Sequence, residues 1–192
     1  MTPVSGYSVT GYTIEGHAIV SADDRIADER GVTPPELHND ADWARFQAAL
    51  DEAAVTALGR RGHEVNPNPK RRNRLVLSSL AAGIERRADA WWWNPAEVAL
   101  ADALGLAAPE GGIVAVPGGR RVFDFFLEAG YDAFHLARKA GVRLPAGIPL
   151  FSAVADGAPA EAVLAGNGLL AAPAEELDPA AGVSLTVWRR AT

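Results

Sequence analysis

The stretch AVPGGRRVFDFF, Ala115 to Phe126, holds the end of an apolar run, a glycine pair, two arginines and the start of an amphipathic segment. Residues 113–117, IVAVP, read as a buried strand, and RVFDFFLEAGY as the helix that follows it. A glycine pair at a strand's carboxyl end lets the chain turn through dihedrals that other residues avoid, and it removes side chains that hold a ligand off the backbone. The helix's free N–H groups and positive dipole end face the gap. That arrangement suits a phosphate or pyrophosphate, with Arg120 or Arg121 adding a charge-assisted contact. The plainer alternative is a tight strand-to-helix turn with solvated arginines.

Working outward, the same order recurs. TIEGHAIVS, Thr13 to Ser21, reads as a buried first strand, AVTALG, Ala54 to Gly59, as a second, and RLVLSS, Arg74 to Ser79, as a third. DADWARFQAALDEA spaces Trp43, Phe46, Ala49, Leu50 and Ala53 by three and four, with acidic residues in its first turn, as an amphipathic helix requires. DAWWWN is another strand, and alternation lets Trp91, Trp92 and Trp93 cover both faces of it as core. Pro95 starts the helix AEVALADALGL, while YDAFHLAR and GVSLTVWRR read as closing strands. Strands alternating with helices predict an α/β sheet, largely parallel, because parallel neighbours need crossover connections.

Gly59-Arg60-Arg61 also follows an apolar strand, and open α/β sheets bind ligands beyond the carboxyl ends of their strands. If the two turns converge, one cradles a diphosphate and the other offers planar guanidinium forks to a terminal phosphate. The segment GRRGHEVNPNPKRRN carries Arg60, Arg61, Lys70, Arg71, Arg72 and Arg74, and its prolines and asparagines predict irregular structure over most of its length. A solvated, mobile loop is the competing reading of that charge.

The 192 residues form one expected domain, 1–192, with 48% apolar and 22% charged residues. No cysteine is present, which excludes disulfides and thiolate metal sites and fits a reducing cytoplasm. The first residues, MTPVSGYSVTGYTIEG, have neither the basic start nor the apolar stretch of a secretory leader, and no run is long enough to span a membrane. A net charge of −6 argues against a nucleic-acid partner. Arginines outnumber lysines 16 to 2, a bias attributed to genome composition. His17, His38, His63 and His135 lack metal-ligand spacing, so no metal is expected. His135 reads as structural, while His63 stands beside the arginine turn.

In order, HAIVSADDRIAD, NDADWARFQAALDEA, TALGRRGHE, RLVLSS, VAVPGGRRVFDFFLEAGYDAFHLAR and LPAGIPLF resemble the dihydrofolate reductase superfamily, which includes the reductase domain of bacterial riboflavin biosynthesis. The resemblance covers the chain from about Tyr12 to Trp188 and lies in order and spacing. It implies a mostly parallel mixed sheet of about eight strands flanked by helices, with NADPH lying across the strand ends. Carried over by position, Gly118 and Gly119 approach the pyrophosphate with Arg120 and Arg121 beginning the helix there. Gly59, Arg60 and Arg61 lie near the adenosine 2'-phosphate, joined by Ser78 and Ser79. The loop from Ala22 to Pro35 becomes a mobile lid that shields hydride transfer from water, with Ala22 beside the substrate.

The same resemblance makes Asp42 the proton donor or anchor for a pteridine, pyrimidine or similar heterocycle, and Phe46, one turn later, its packing surface. Read without it, Asp42 is a first-turn dipole partner, Phe46 is core, and Asp40 is an alternative cap. Four departures fall mostly on the substrate half. Ala137 and Gly62 stand where threonines are usual, Pro34-Pro35 replaces Pro-Trp in the lid, and an arginine for a folate tail has no counterpart. The expected activity is an NADPH-dependent reductase with homodimers as in the riboflavin branch; a non-catalytic nucleotide- or ligand-binding protein is the rival.

Overall fold

A computed structural model describes residues 9–191, so residues 1–8 of the stretch read for a leader lie outside it. The elements run β1 (Tyr12–Ser21), β2 (Arg25–Ala27), a 3-10 turn (Pro35–Leu37), α1 (Asp40–Glu52), β3 (Val55–Gly59), α2 (Arg60–Val65) and β4 (Arg74–Leu77). There follow β5 (Ile84–Arg86), β6 (Trp91–Trp93), α3 (Leu100–Ala107), β7 (Gly112–Gly118), α4 (Arg120–Ala129) and β8 (Ala133–Lys139). The chain closes with β9 (Ile148–Pro149), α5 (Ser152–Ala155), α6 (Ala160–Gly166), β10 (Leu169–Ala171), β11 (Glu175–Asp178) and β12 (Val183–Arg190).

One sheet carries ten strands in the order β10-β12-β8-β1-β7-β3-β4-β6-β5, with β11 also on β12. From β8 to β6 every neighbour is parallel, whereas β12 lies antiparallel to β8 and β5 antiparallel to β6. The count exceeds the expected eight because short antiparallel strands extend both edges. β1 lies in the sheet interior between β8 and β7, and Gly16 is needed there. The residue opposite it on β8 is Phe134, and a Cβ on Gly16 would fall 2.2 Å from that ring.

Alternation sorts the strand residues onto two unlike faces. Ile14, Val55, Leu75, Trp93, Val114 and Phe134 belong to the main core together with Leu104 of α3, Phe123 and Phe126 of α4 and Leu164 of α6. Trp92 joins a separate small cluster, so the tryptophan run does cover both faces. The face under α1 is different in kind. α1 buries only Asp42 and Leu50, and Trp43, expected on its apolar stripe, is 49% exposed. The strands beneath present Glu15, His17 and His135, so the helix turns Asp42 and Arg45 inward to meet them.

Two segments differ from their sequence reading. The irregular loop after β3 begins with a helix, α2, because its prolines start only at Pro67 and leave Arg60–Val65 free to coil. Pro95 does not open α3. Asn94 accepts the Ala96 N–H at its side chain and the Glu97 and Val98 N–H groups at its carbonyl, holding residues 94–98 in a turn that delays the helix to Leu100. The presumed lid, 22–35, is partly ordered, since Arg25–Ala27 pairs with Ile148–Pro149.

Candidate functional site

The carboxyl ends of β4, β3 and β7 lie side by side, with Gly59 opposite Leu77 and Leu58 opposite Gly118. The two glycine corners therefore adjoin, and a Cβ built on Gly59 would lie 3.3 Å from Val122 at the start of α4. Gly118 has φ +127° and Gly119 φ +87°, both in territory that favours glycine. A Cβ on Gly118 would meet Phe123 at 2.9 Å, whereas one on Gly119 would project into space with only Val122 at 3.9 Å. Gly119 accepts the Val122 and Phe123 N–H groups at its carbonyl, and α4 has no side-chain cap. Arg120 and Arg121 make no hydrogen bond or ion pair with the described residues.

The other arginine corner is already engaged. Arg60 pairs with Glu64 at 2.9 Å across one turn of α2, and Arg61 Nη2 donates to the Arg30 carbonyl at 3.0 Å. Arg61 thereby ties the 22–35 loop to the corner. Ser78 is buried, its hydroxyl oxygen accepting the Leu80 N–H at 3.2 Å, and Ser79 is exposed beyond β4. The basic run does not act as one patch. Lys70 and Arg72 both hold Asp51, and buried Arg74 donates to the Asn66 and Pro67 carbonyls and to His63 Nδ1. These three side chains build the loop.

At α1, Asn39 rather than Asp40 is the cap, accepting from the Ala41 and Asp42 N–H groups. Asp40 is exposed and lies 3.0 Å from His38. Asp42 is buried, and burial raises its carboxyl above the usual range despite Arg45 at 3.4 Å. Phe46 shares that face, tilted against His17 at 6.1 Å and Trp43 at 5.7 Å. Ala22 is not among them. It lines a separate hollow of about 460 Å³ with Asp24, Arg138, Val154 and Glu161.

Arg45, His135, Glu15 and His17 were missed as site residues in the sequence. Arg45 Nη1 donates to His135 Nδ1 at 3.3 Å, which leaves the imidazole proton on Nε2, 3.3 Å from Glu15 Oε2. His135 in turn holds the Glu15 carboxyl below its ordinary value. His17 stacks on His135 with ring centres 4.6 Å apart, and burial drives its pKa down to about 3, so it stays neutral. Glu15, His17 and His135 offer donor atoms within 4.8 Å of one another, a set that suits a divalent cation by type. Their geometry does not suit it. The rings lie 13° from parallel, so their lone pairs run alongside each other, and a metal-bound imidazole needs an acceptor where His135 faces Arg45.

No protein-family model matches the chain, and no curated protein does. Solved structures do. A protein assigned to riboflavin biosynthesis from Shewanella sp. PV-4 superposes with a TM-score of 0.65 at 18% identity, over 94% of this chain and 99% of that one. The diaminohydroxyphosphoribosylaminopyrimidine deaminase/5-amino-6-(5-phosphoribosylamino)uracil reductase of Thermotoga maritima gives 0.62 at 17% identity, over 94% of this chain and 57% of that one. Dihydrofolate reductase from Enterococcus faecalis, solved with NADP(H) and RAB-propyl, gives 0.64 at 15% identity, over 94% and 97%. The chain shares the fold of these three proteins. Among the described residues, no helix is long and apolar enough to cross a membrane.

Proposed function

We propose that the protein is a reductase that binds NADPH along the ends of β4, β3 and β7 and reduces a flat heterocycle held against α1. The observation that carries this reading is the adjacency of the two glycine corners, Leu58 pairing directly with Gly118. It creates one ledge with a helix N-terminus, an open glycine at 119 and two arginines without partners among the described residues, a donor set that fits a dinucleotide phosphate. NADPH, when bound, supplies the hydride. Gly118 and Gly119 let the backbone approach, and Arg60 and Arg61 exchange Glu64 and the Arg30 carbonyl for phosphate oxygens. Asp42, whose carboxyl burial pushes above the usual range, holds or passes a proton, and Phe46 packs the ring. Residues 22–35 exclude water.

Titration with NADPH and NADH tests the nucleotide half. NADPH binds more tightly, and Arg60→Ala shrinks the preference; equal affinities remove the role given to the arginine corner. NADPH oxidation is then followed with dihydrofolate, dihydrobiopterin and aminopyrimidines. Nucleotide binding without turnover on that panel favours the non-catalytic binder, the reading that Ala137 and Gly62 motivate.

A further inference from the structure

Asp42 does not stand in the site as a lone carboxylate. Arg45, on the next turn of α1, brings Nη2 to 3.4 Å from Asp42 Oδ1 while its Nη1 is held by His135 Nδ1 at 3.3 Å. His135 Nε2 stands 3.3 Å from Glu15 Oε2 as an ion-pair contact without hydrogen-bond geometry. Three elements, α1, β8 and β1, thus set one guanidinium. Its Nε is buried with no partner among the described residues, a donor for which the protein supplies no acceptor. The side chains of Asp42 and Arg45 are 10% and 23% exposed, so both present only an edge.

A lone buried carboxylate complements two donors on one edge, the pattern of an amidine, which it binds best as a cation. A carboxylate beside a guanidinium is different, because its charge is compensated and it offers an acceptor next to a donor. The matching ligand edge is a donor next to an acceptor, the N–H and C=O of a cyclic lactam. We propose, on the reductase reading above, that the Asp42–Arg45 pair makes the site select the lactam edge of a heterocycle over an amidine edge, with His135 and Glu15 positioning Arg45. Arginine does not give up its proton, so the chain positions and does not conduct.

Lumazine and 2,4-diaminopteridine share one bicyclic ring and differ in that edge. Calorimetric titration of each into the NADPH-saturated protein at neutral pH gives tighter binding of lumazine by about tenfold or more, the discrimination expected of a hydrogen bond to a charged group. Arg45→Met, which keeps much of the stem and loses the donors, reverses the order. Arg45→Lys keeps the charge without the fork and gives an intermediate ratio. His135→Gln, whose amide still accepts from Arg45, preserves the preference, and His135→Leu reduces it, a split that a merely structural role would not produce. A wild-type preference for the diamino ring, equal affinities, or a ratio untouched by the Arg45 variants overturns the proposal. Should Arg45→Met fail to fold, the wild-type and Arg45→Lys ratios decide it. NADPH binding with the wrong ring preference sinks this inference alone, whereas absence of NADPH binding removes the reading beneath it.

Discussion

Gly118 and Gly119 both have positive φ, but the structure assigns them different penalties on substitution. An alanine at 119 must adopt φ near +87° with ψ near 125°, a strain of about 1–3 kcal/mol, and meets no side chain closer than 3.9 Å. An alanine at 118 incurs similar strain at φ +127° and in addition meets Phe123 at 2.9 Å, an overlap of about 1–3 kcal/mol in a packed core. Urea unfolding should therefore rank wild type above Gly119→Ala and Gly119→Ala above Gly118→Ala, with totals of about 1–3 and about 2–6 kcal/mol. Trimming the ring removes the collision but not the strain. In a double-mutant cycle, Phe123→Leu should recover on the order of 1 kcal/mol more in the Gly118→Ala background than additivity allows. Strictly additive losses, or Gly119→Ala unfolding at least as easily as Gly118→Ala, would refute the assignment of crowding to 118 and openness to 119. The nucleotide readout runs opposite to stability per residue. Gly119→Ala, the milder lesion, should still weaken NADPH binding, because its methyl enters the open ledge.

Acid should destabilise the protein through His17. Its folded pKa, about 3, lies below the unfolded value, so the unfolded chain takes up the proton first. That contribution is intact above about pH 6.5 and is lost as pH falls toward 3, on the order of a few kcal/mol; denaturant midpoints for His17→Leu should show a flatter pH slope there. Asp42→Asn should cut turnover by about 10²-fold or more without loss of stability at neutral pH, since burial raises the Asp42 pKa and its ionised form opposes folding; a large fall in melting temperature would contradict this. Gly16→Ala should cost at least about 1–3 kcal/mol by driving a methyl into the Phe134 ring, and a wild-type melting temperature would show that the central strands have slack.

The strand-turn-helix units were legible because each is written within a dozen or so neighbours, as around Gly118–Gly119, where period-two apolar residues stop at glycine and a helical pattern begins. Local competition explains what was misplaced. Asn94 gathers three N–H groups into a local turn, and no periodicity reports that this turn stops short of the helix, which begins at Leu100. Spacing put Asp42 and Phe46 on one face of α1 and the superfamily resemblance gave them a role, yet the partners around Asp42 were not legible. His17 and His135 become neighbours only when β1 pairs with β8, and Arg45 reads in sequence as one more solvated helical charge. The same pairing explains exposed Trp43. A helix lying on a polar strip cannot bury every apolar residue its spacing offers.

The two halves of the proposed site consequently differ in how they would meet a ligand. Arg60–Glu64 is an exposed pair on one turn of a short helix, and Arg61 is held by a single carbonyl, contacts worth little against water and weakened further by salt. On the reductase reading a phosphate would replace them at small cost, so this corner would adapt to its ligand. Asp42 is buried and Arg45 half-buried, and Arg45 is tied to His135, which stands beside Glu15 on the sheet, so losing the Arg45–His135 contact leaves polar groups poorly solvated. Affinity changes at the arginine corner should then leave ring preference alone, because no described hydrogen bond or ion pair connects Arg60 or Arg61 to that chain. On the proposed reading, the nucleotide corner would set how tightly the site is loaded, and the Asp42–Arg45 pair would decide what it accepts.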